Sequence, residues 1–140
     1  MLLGEIEAEL IKEEGISLKA YSDSMGYLTI GVGHRTPEDN GYITLEYAGK
    51  LLEQDIKSAI NGLIRNVPFY SELDDKRQYV LISMTFNIGV TGLLKFKKML
   101  KALENRDYEL ASREMLDSRW ARQVKTRAKK LSDIMRNGIM

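Results

Sequence analysis

Apolar residues recur at helical spacing over most of the chain and alternate with polar residues only near its start. In residues 2–13, apolar side chains three and four positions apart predict a short helix, and Gly15 is placed to end it. Residues 18–34 instead alternate on both sides of a turn at 22–26, and three glycines in this segment suit a thin β-sheet. Residues 35–43 are predicted to form a loop.

The remaining pattern predicts a protein that is mostly helical. Thr44 is a good N-terminal cap for a long helix that extends to about Ile64. The segment from Tyr79 to Ile88 is apolar on nearly every side, which predicts a buried central helix. Further helices are predicted at Leu93–Leu103, at Tyr108–Leu116 and in a last segment that ends near Gly138. The predicted fold class is therefore α+β.

Composition removes several classes of function. The chain has 140 residues, of which 44% are hydrophobic and 29% are charged, and these values fit one compact globular domain. It has no cysteine, which excludes a disulfide framework and thiol chemistry. The first fifteen residues are acidic and lack an apolar run, so no signal peptide is expected. No stretch approaches the ~20 apolar residues of a membrane-spanning helix.

Charge is distributed unevenly along the chain. Residues 1–75 contain 6 basic and 14 acidic residues, a balance of −8, whereas residues 76–140 contain 15 basic and 6 acidic residues, a balance of +9. A basic half can bind nucleic acid, a membrane or an anionic polymer, although solvated helix faces explain most of the individual residues. No zinc-finger or RNA-recognition motif accompanies the charge, so weak attraction to an acidic cell wall is expected rather than nucleic-acid binding.

Two carboxyl residues and one hydroxyl residue mark the β segment as a candidate site. Glu14 lies where the first helix ends, Asp23 lies in the turn, and Thr29 lies on a strand. Two carboxyls held across a cleft are what cleavage of a glycosidic bond needs. The negative end of the helix dipole disfavours a charged Glu14, and a general acid must be protonated. Taken alone, Glu14 would be a surface charge, Asp23 a turn residue and Thr29 a strand former. Only the three together indicate a catalytic site.

This combination resembles the phage-type lysozymes of glycoside hydrolase family 24. The resemblance rests on the spacing of Glu14, Asp23 and Thr29 and on the string Thr-Ile-Gly-Val-Gly-His at 29–34. It continues through the segments 41–44, 51–55, 86–89, 118–120 and 126–129. It implies one lysozyme-like domain over residues 1–140. A small β lobe of about residues 15–43 and a larger helical lobe of about 1–14 and 44–140 are expected, joined by the long helix, with a cleft between them.

The resemblance also implies roles for the site residues. Glu14 is expected to protonate the glycosidic oxygen, while Asp23 and Thr29 hold the attacking water. Members of the family are expected to invert the anomeric centre, which suits carboxyls roughly 6.5–9.5 Å apart. Phe86 matches a residue that contacts substrate, although core packing explains it nearly as well. No cofactor is implied.

Three more residues are expected to support the site. Asp55 lies on the apolar stripe of its helix, where a carboxylate needs a partner, and the resemblance pairs it with His34. Arg127 resembles the arginine that faces the catalytic glutamate, and the alternative is an exposed arginine among lysines. His34 is the only histidine and no cysteine is present, so no metal site is expected. Arg35 departs from the family, because an apolar residue is common at its position.

The resulting hypothesis is an endolysin that hydrolyses the β-1,4 bond between N-acetylmuramic acid and N-acetylglucosamine in bacterial peptidoglycan. It is expected to act as a monomer, without nucleic acid and without stable membrane insertion. It would accumulate in the cytoplasm and reach the cell wall after release by a separate pore protein. Two alternatives stay open: a lysozyme-like binding or scaffolding domain without turnover, and a lytic transglycosylase that needs only the glutamate and leaves an anhydro sugar.

Overall fold

The computed structural model describes residues 1–23 and 25–140, so Ser24 of the predicted turn lies outside the described residues. Two compact units are present, residues 1–60 and residues 61–140. The predicted α+β class is confirmed, with many helices and one small sheet. The division into a β lobe and a helical lobe stays a prediction.

The first unit combines one helix, a three-stranded antiparallel sheet and the first part of a long helix. The sheet order is β1-β2-β3. Gly31, at φ +65°, lies against this long helix, because a Cβ built on it would meet the side chain of Ala48 at 3.6 Å. Thr44 caps the helix as predicted, since its Oγ1 accepts a hydrogen bond from the Tyr47 N–H at 3.0 Å. The elements of this unit are α1 (Leu3–Glu14), β1 (Ser17–Ser22), β2 (Leu28–Gly31), β3 (His34–Arg35) and α2 (Leu45–Asn66), which crosses the division.

The second unit is helical and is built on a buried central helix. From Tyr79 to Met84 every side chain of this helix is buried, as its largely apolar sequence predicted. Gly89 has φ 76° and ψ 163°, so the helix is broken within its last two turns. A short 3₁₀ turn at Tyr70–Glu72 precedes it. The helices are α3 (Asp75–Leu94), α4 (Lys97–Glu104), α5 (Tyr108–Leu116), α6 (Arg119–Val124) and α7 (Thr126–Asn137).

The predicted helix at Leu93–Leu103 is wrong as a single element. α3 ends at Leu94 and α4 begins at Lys97, with Phe96 in a non-helical conformation between them. Leu93 and Met99 are both fully buried on either side of the break. Because the apolar spacing is the same before and after a sharp turn, periodicity alone could not reveal the change of direction. The short helix α6 was also not predicted.

Arg77 ties the start of α3 to the end of α7. Its Nε donates to the carbonyl of Met135 at 2.6 Å, and its Nη2 donates to the carbonyl of the next residue at 3.0 Å. Its Nη1 donates to Asp74 Oδ1 at 3.1 Å, and its guanidinium carbon lies 3.4 Å from the centroid of the Tyr108 ring. The fit is tight, since a Cβ on Gly138 would lie 2.8 Å from Nη1. Arg77 therefore serves as a buried clamp between the two helices.

Thr85 offers a direct test of packing within α3. It is buried, and among the described residues its Oγ1 has no hydrogen-bond partner. Replacing Thr85 by valine keeps the shape and removes the unsatisfied hydroxyl, so we expect the free energy of unfolding to rise by about 1 kcal/mol. Urea unfolding of both proteins measures the change, and Thr85→Ser, which keeps the hydroxyl, should not stabilise. A loss of stability in Thr85→Val would show that the hydroxyl is bonded.

No single helix of the described chain is both long and apolar enough to cross a membrane; α3 and α4 reach that length and composition only as a pair, which is bent by 99°.

Candidate active site

Glu14 is placed by the end of α1. The helix stops at this residue, and the N–H of Gly15 still bonds to the carbonyl of Ile11 at 2.8 Å. Gly15 then adopts φ 73° and ψ 178°, a conformation that is essentially restricted to glycine, and the chain turns into β1. The half-buried Glu14 side chain thus lies at the negative end of the helix dipole.

Asp23 is held by the turn between β1 and β2. Its Oδ1 accepts hydrogen bonds from the N–H groups of Met25 at 2.9 Å and Tyr27 at 2.8 Å. Its own N–H donates to the Tyr27 carbonyl at 2.9 Å, and its carbonyl accepts from the Gly26 N–H at 3.0 Å. Two bonds to Oδ1 fix the plane of the carboxylate, so Oδ2 is the oxygen that can take a proton from a bound water.

Thr29 lies on β2 and is bonded to the same residue as Asp23. Its side chain is 2% exposed, and its Oγ1 donates to the Tyr27 carbonyl at 2.9 Å. Because a hydroxyl has one proton and two lone pairs, Thr29 can only accept a hydrogen bond from any further partner. The main chain of Tyr27 therefore links Asp23 to Thr29 and sets both acceptors in place.

Tyr21 brings the two carboxyl residues into one electrostatic environment. It pairs with Thr29 across β1 and β2, so the two side chains lie on one face of the sheet. Burial raises the pKa of Tyr21, and the nearby charges of Glu14 and then Asp23 raise it further. The structure thus gathers Glu14, Asp23 and Thr29 around the β1–β2 hairpin.

His34 and Asp55 form an ion pair or hydrogen bond within the first unit. His34 Nδ1 lies 2.7 Å from Asp55 Oδ2, and each side chain is about 30% exposed (31% and 29%). The contact attaches β3 to α2. It positions the sheet on the helix.

Arg127 and Phe86 lie in the second unit. Arg127 on α7 donates to Ser83 of α3, with Nη2 at 3.0 Å from Oγ and 3.1 Å from the carbonyl oxygen. Phe86 is half-buried and follows Ser83 by three residues, which places both on one side of α3. The placement of Arg127 and Phe86 relative to Glu14 stays a prediction.

The sequence predicted no role for Tyr27, and it marked Arg35 only as a departure from the family. The guanidinium carbon of Arg35 lies 3.7 Å from the centroid of the Tyr27 ring, and Arg35 pairs with Thr29 across β2 and β3. The two-residue step between Tyr27 and Thr29 could have placed both on one face of the sheet. The main-chain bonds of Tyr27 leave no mark in the sequence. Within residues 1–23 and 25–140, no group of three or more histidine, aspartate or glutamate side chains is arranged to hold a metal ion.

Comparison with known proteins points to one family. The sequence model of the family described as phage lysozyme matches residues 11–136. The chain is 38% identical to the endolysin of Salmonella phage P22, over 74% of this chain and 73% of that protein. It is 28% identical to probable T4-type lysozyme 1 of Dictyostelium discoideum, over 99% of this chain and 98% of that protein. It is also 32% identical to the pre-baseplate central spike protein Gp5 of Enterobacteria phage T4, over 94% of this chain but 28% of that protein.

Proposed function

This chain belongs to the phage lysozyme family, and we propose that Glu14, Asp23 and Thr29 perform its hydrolysis with inversion at the anomeric carbon. The protein is a muramidase endolysin, a glycoside hydrolase whose substrate is the peptidoglycan of the bacterial cell wall. The geometry of the β1–β2 hairpin and the chemistry of glycosidic bond cleavage support these roles.

Glu14 is the general acid in this proposal. The bond between N-acetylmuramic acid and N-acetylglucosamine breaks readily only if its bridging oxygen receives a proton as the bond lengthens. Glu14 supports this role by its position at the C-terminal end of α1, directly before the turn into the sheet. Glu14 gives this proton to the oxygen of the leaving sugar. Positive charge then develops at the anomeric carbon of the other sugar, and the water attacks this carbon from the face opposite the leaving oxygen.

Asp23 and Thr29 orient that water. The main support for this role is that both residues are hydrogen-bonded to the main chain of Tyr27. Asp23 bonds to it through its Oδ1 and its N–H, and Thr29 bonds to it through its Oγ1. The Thr29 hydroxyl donates to Tyr27, so it accepts one proton of the water in a hydrogen bond. Asp23 Oδ2 takes the other proton as the water attacks. With both protons engaged, a lone pair of the water points to the anomeric carbon. A direct attack by Asp23 would give Thr29 no role.

The stereochemical outcome tests this arrangement. Early in the digestion of a β-linked glycan, proton NMR of the new reducing end is expected to show the α anomer. The control is the same glycan after mutarotation has equilibrated both anomers. A β anomer in the first spectra would mean retention, and Asp23 would then be a nucleophile rather than the base for water.

Asp23→Asn is the matched variant for this test. The amide oxygen of asparagine can accept the same two N–H bonds as Asp23 Oδ1, so the turn should keep its shape. The base is lost, and we expect the hydrolysis rate to fall by at least ~10²-fold. A folded Asp23→Asn protein with near-normal activity would contradict the role of Asp23.

Analysis of the product ends separates hydrolysis from the two alternatives. Digested muropeptides are expected to carry reducing muramic acid ends. An anhydro muramic acid end would identify a lytic transglycosylase, and unaltered glycan bound to the protein would identify a domain without turnover.

The remaining residues support the site in this proposal. His34 and Asp55 hold β3 on α2, Arg127 assists Glu14, and Phe86 contacts the glycan. The chain is proposed to act as a monomer and to reach the wall after release by a separate pore protein. Sedimentation of the purified protein and fractionation of producing cells check these two points.

A further inference from the structure

The side chain of Arg35 lies on the sheet face that carries the Thr29 hydroxyl. Arg35 is the direct cross-strand partner of Thr29, and Tyr21 is the partner of Thr29 on the other side. Directly paired residues of an antiparallel sheet point to the same face. The row Tyr21, Thr29 and Arg35 therefore runs across all three strands on one side, next to the turn that holds Asp23.

The Tyr27 ring fixes where the Arg35 guanidinium lies. The guanidinium carbon is 3.7 Å from the ring centroid, which is the geometry of close stacking. The main chain of the same tyrosine bonds to Asp23 and to Thr29. Any shift of Tyr27 would disturb both Asp23 and Thr29. The Arg35 guanidinium therefore stacks on the same residue that holds these two side chains in place.

Arg35 can bind a ligand in addition to the contacts that it makes within the protein. Arg35 is exposed and the Tyr27 ring is 46% exposed, so the pair forms part of the surface. Stacking occupies the face of a guanidinium, whereas its N–H bonds point outward in its plane. Five N–H donors allow a contact within the protein and a fork of two bonds to a carboxylate at the same time.

We propose that Arg35 is a specificity-determining residue that binds a carboxylate of the glycan strand beside the bond that is cleaved. This inference rests on the proposed function of Glu14, Asp23 and Thr29. Peptidoglycan offers such a carboxylate on the lactyl group of muramic acid where the peptide is absent, and on the peptide stem where it is present. Arg35 selects muramic acid units over uncharged amino sugars in the position next to Thr29.

Binding measurements in the Glu14→Gln background test the proposal without turnover. Three ligands are compared by calorimetry: peptide-stripped glycan strands with free lactyl carboxylates, the same strands with these groups converted to methylamides, and peptide-bearing strands. Arg35→Leu is expected to raise the Kd for carboxylate-bearing strands about tenfold, which suits a charge-assisted hydrogen bond at an exposed position. Arg35→Lys should recover part of the affinity, since lysine keeps the charge but not the fork.

A matched control removes an arginine elsewhere. Arg65→Leu makes the same chemical change at an exposed position near the end of α2 and should leave every Kd as it is. Tyr27→Leu keeps the main-chain bonds of Tyr27 but removes the ring, and it should raise the same Kd values as Arg35→Leu. For strands with methylamide groups, the Arg35→Leu variant and the Glu14→Gln protein from which it is made should have the same Kd.

The ligands also identify the source of the carboxylate. An effect on stripped strands assigns the lactyl group, and an effect confined to peptide-bearing strands assigns the stem. Equal Kd values for Arg35→Leu and its parent on all strands would overturn the proposal, as would an equal loss on free and methylamide strands. Failure of the catalytic assignment is seen separately, as the absence of reducing muramic acid ends in digests by the chain with Glu14 intact.

Discussion

Replacing Glu14 by glutamine is expected to abolish the clearing of peptidoglycan while the protein remains folded. Glutamine has the same shape as glutamate and preserves the end of α1 at Gly15, but it has no acidic proton to give to the leaving oxygen. General acid catalysis contributes ~10²–10⁴-fold to such reactions. We expect a loss within or above this range, measured as the release of reducing muramic acid ends per mole of enzyme.

Glu7→Gln is the matched control for this prediction. Glu7 is a half-buried glutamate on the same helix, two turns before Glu14, and it is expected to keep full activity. Circular dichroism and the melting temperature show that both variants are folded. A Glu14→Gln protein that releases reducing ends at a rate near that of the parent would remove Glu14 as the acid.

Replacing Arg77 by leucine is expected to give the largest loss of stability. The substitution leaves the carbonyl of Met135 and that of its neighbour without their donor, and it removes the stacking on Tyr108. Unsatisfied buried polar groups cost ~1–3 kcal/mol each. We expect the free energy of unfolding to fall by about 3 kcal/mol, as measured in urea, and the melting temperature to fall by roughly 10 °C.

Two variants show whether the loss comes from the clamp. Arg113→Leu removes an exposed arginine of the same unit and should change the free energy of unfolding by less than ~0.5 kcal/mol. Arg77→Lys keeps a charge but cannot bond two carbonyls and Asp74 in one plane, so it should recover only part of the stability. If Arg77→Leu unfolds within ~1 kcal/mol of the parent, the contacts of Arg77 do not hold α7 on α3.

Local patterns in the sequence predicted the elements that local physics controls. Gly15 ends α1 because a residue without a side chain can leave the helix at a positive φ. Thr44 caps α2 because its hydroxyl accepts a hydrogen bond from the Tyr47 N–H in the first turn of the helix. The buried stretch of α3 was predicted because its sequence is apolar on nearly every side of the helix. The candidate residues Glu14, Asp23 and Thr29 were recognised from their spacing.

Tertiary structure alone decided how these residues are held. Arg77 and Met135 are 58 positions apart in the sequence, and the bonded group of Met135 is its main-chain carbonyl. Because every residue has such a carbonyl, no sequence pattern predicts this contact. The link from Asp23 through Tyr27 to Thr29 also uses main-chain atoms, and the position of Arg35 beside Thr29 depends on strand register. The sequence did not predict the break between α3 and α4 for a related reason. Apolar spacing indicates which side chains are buried, but it does not indicate the direction of the helix.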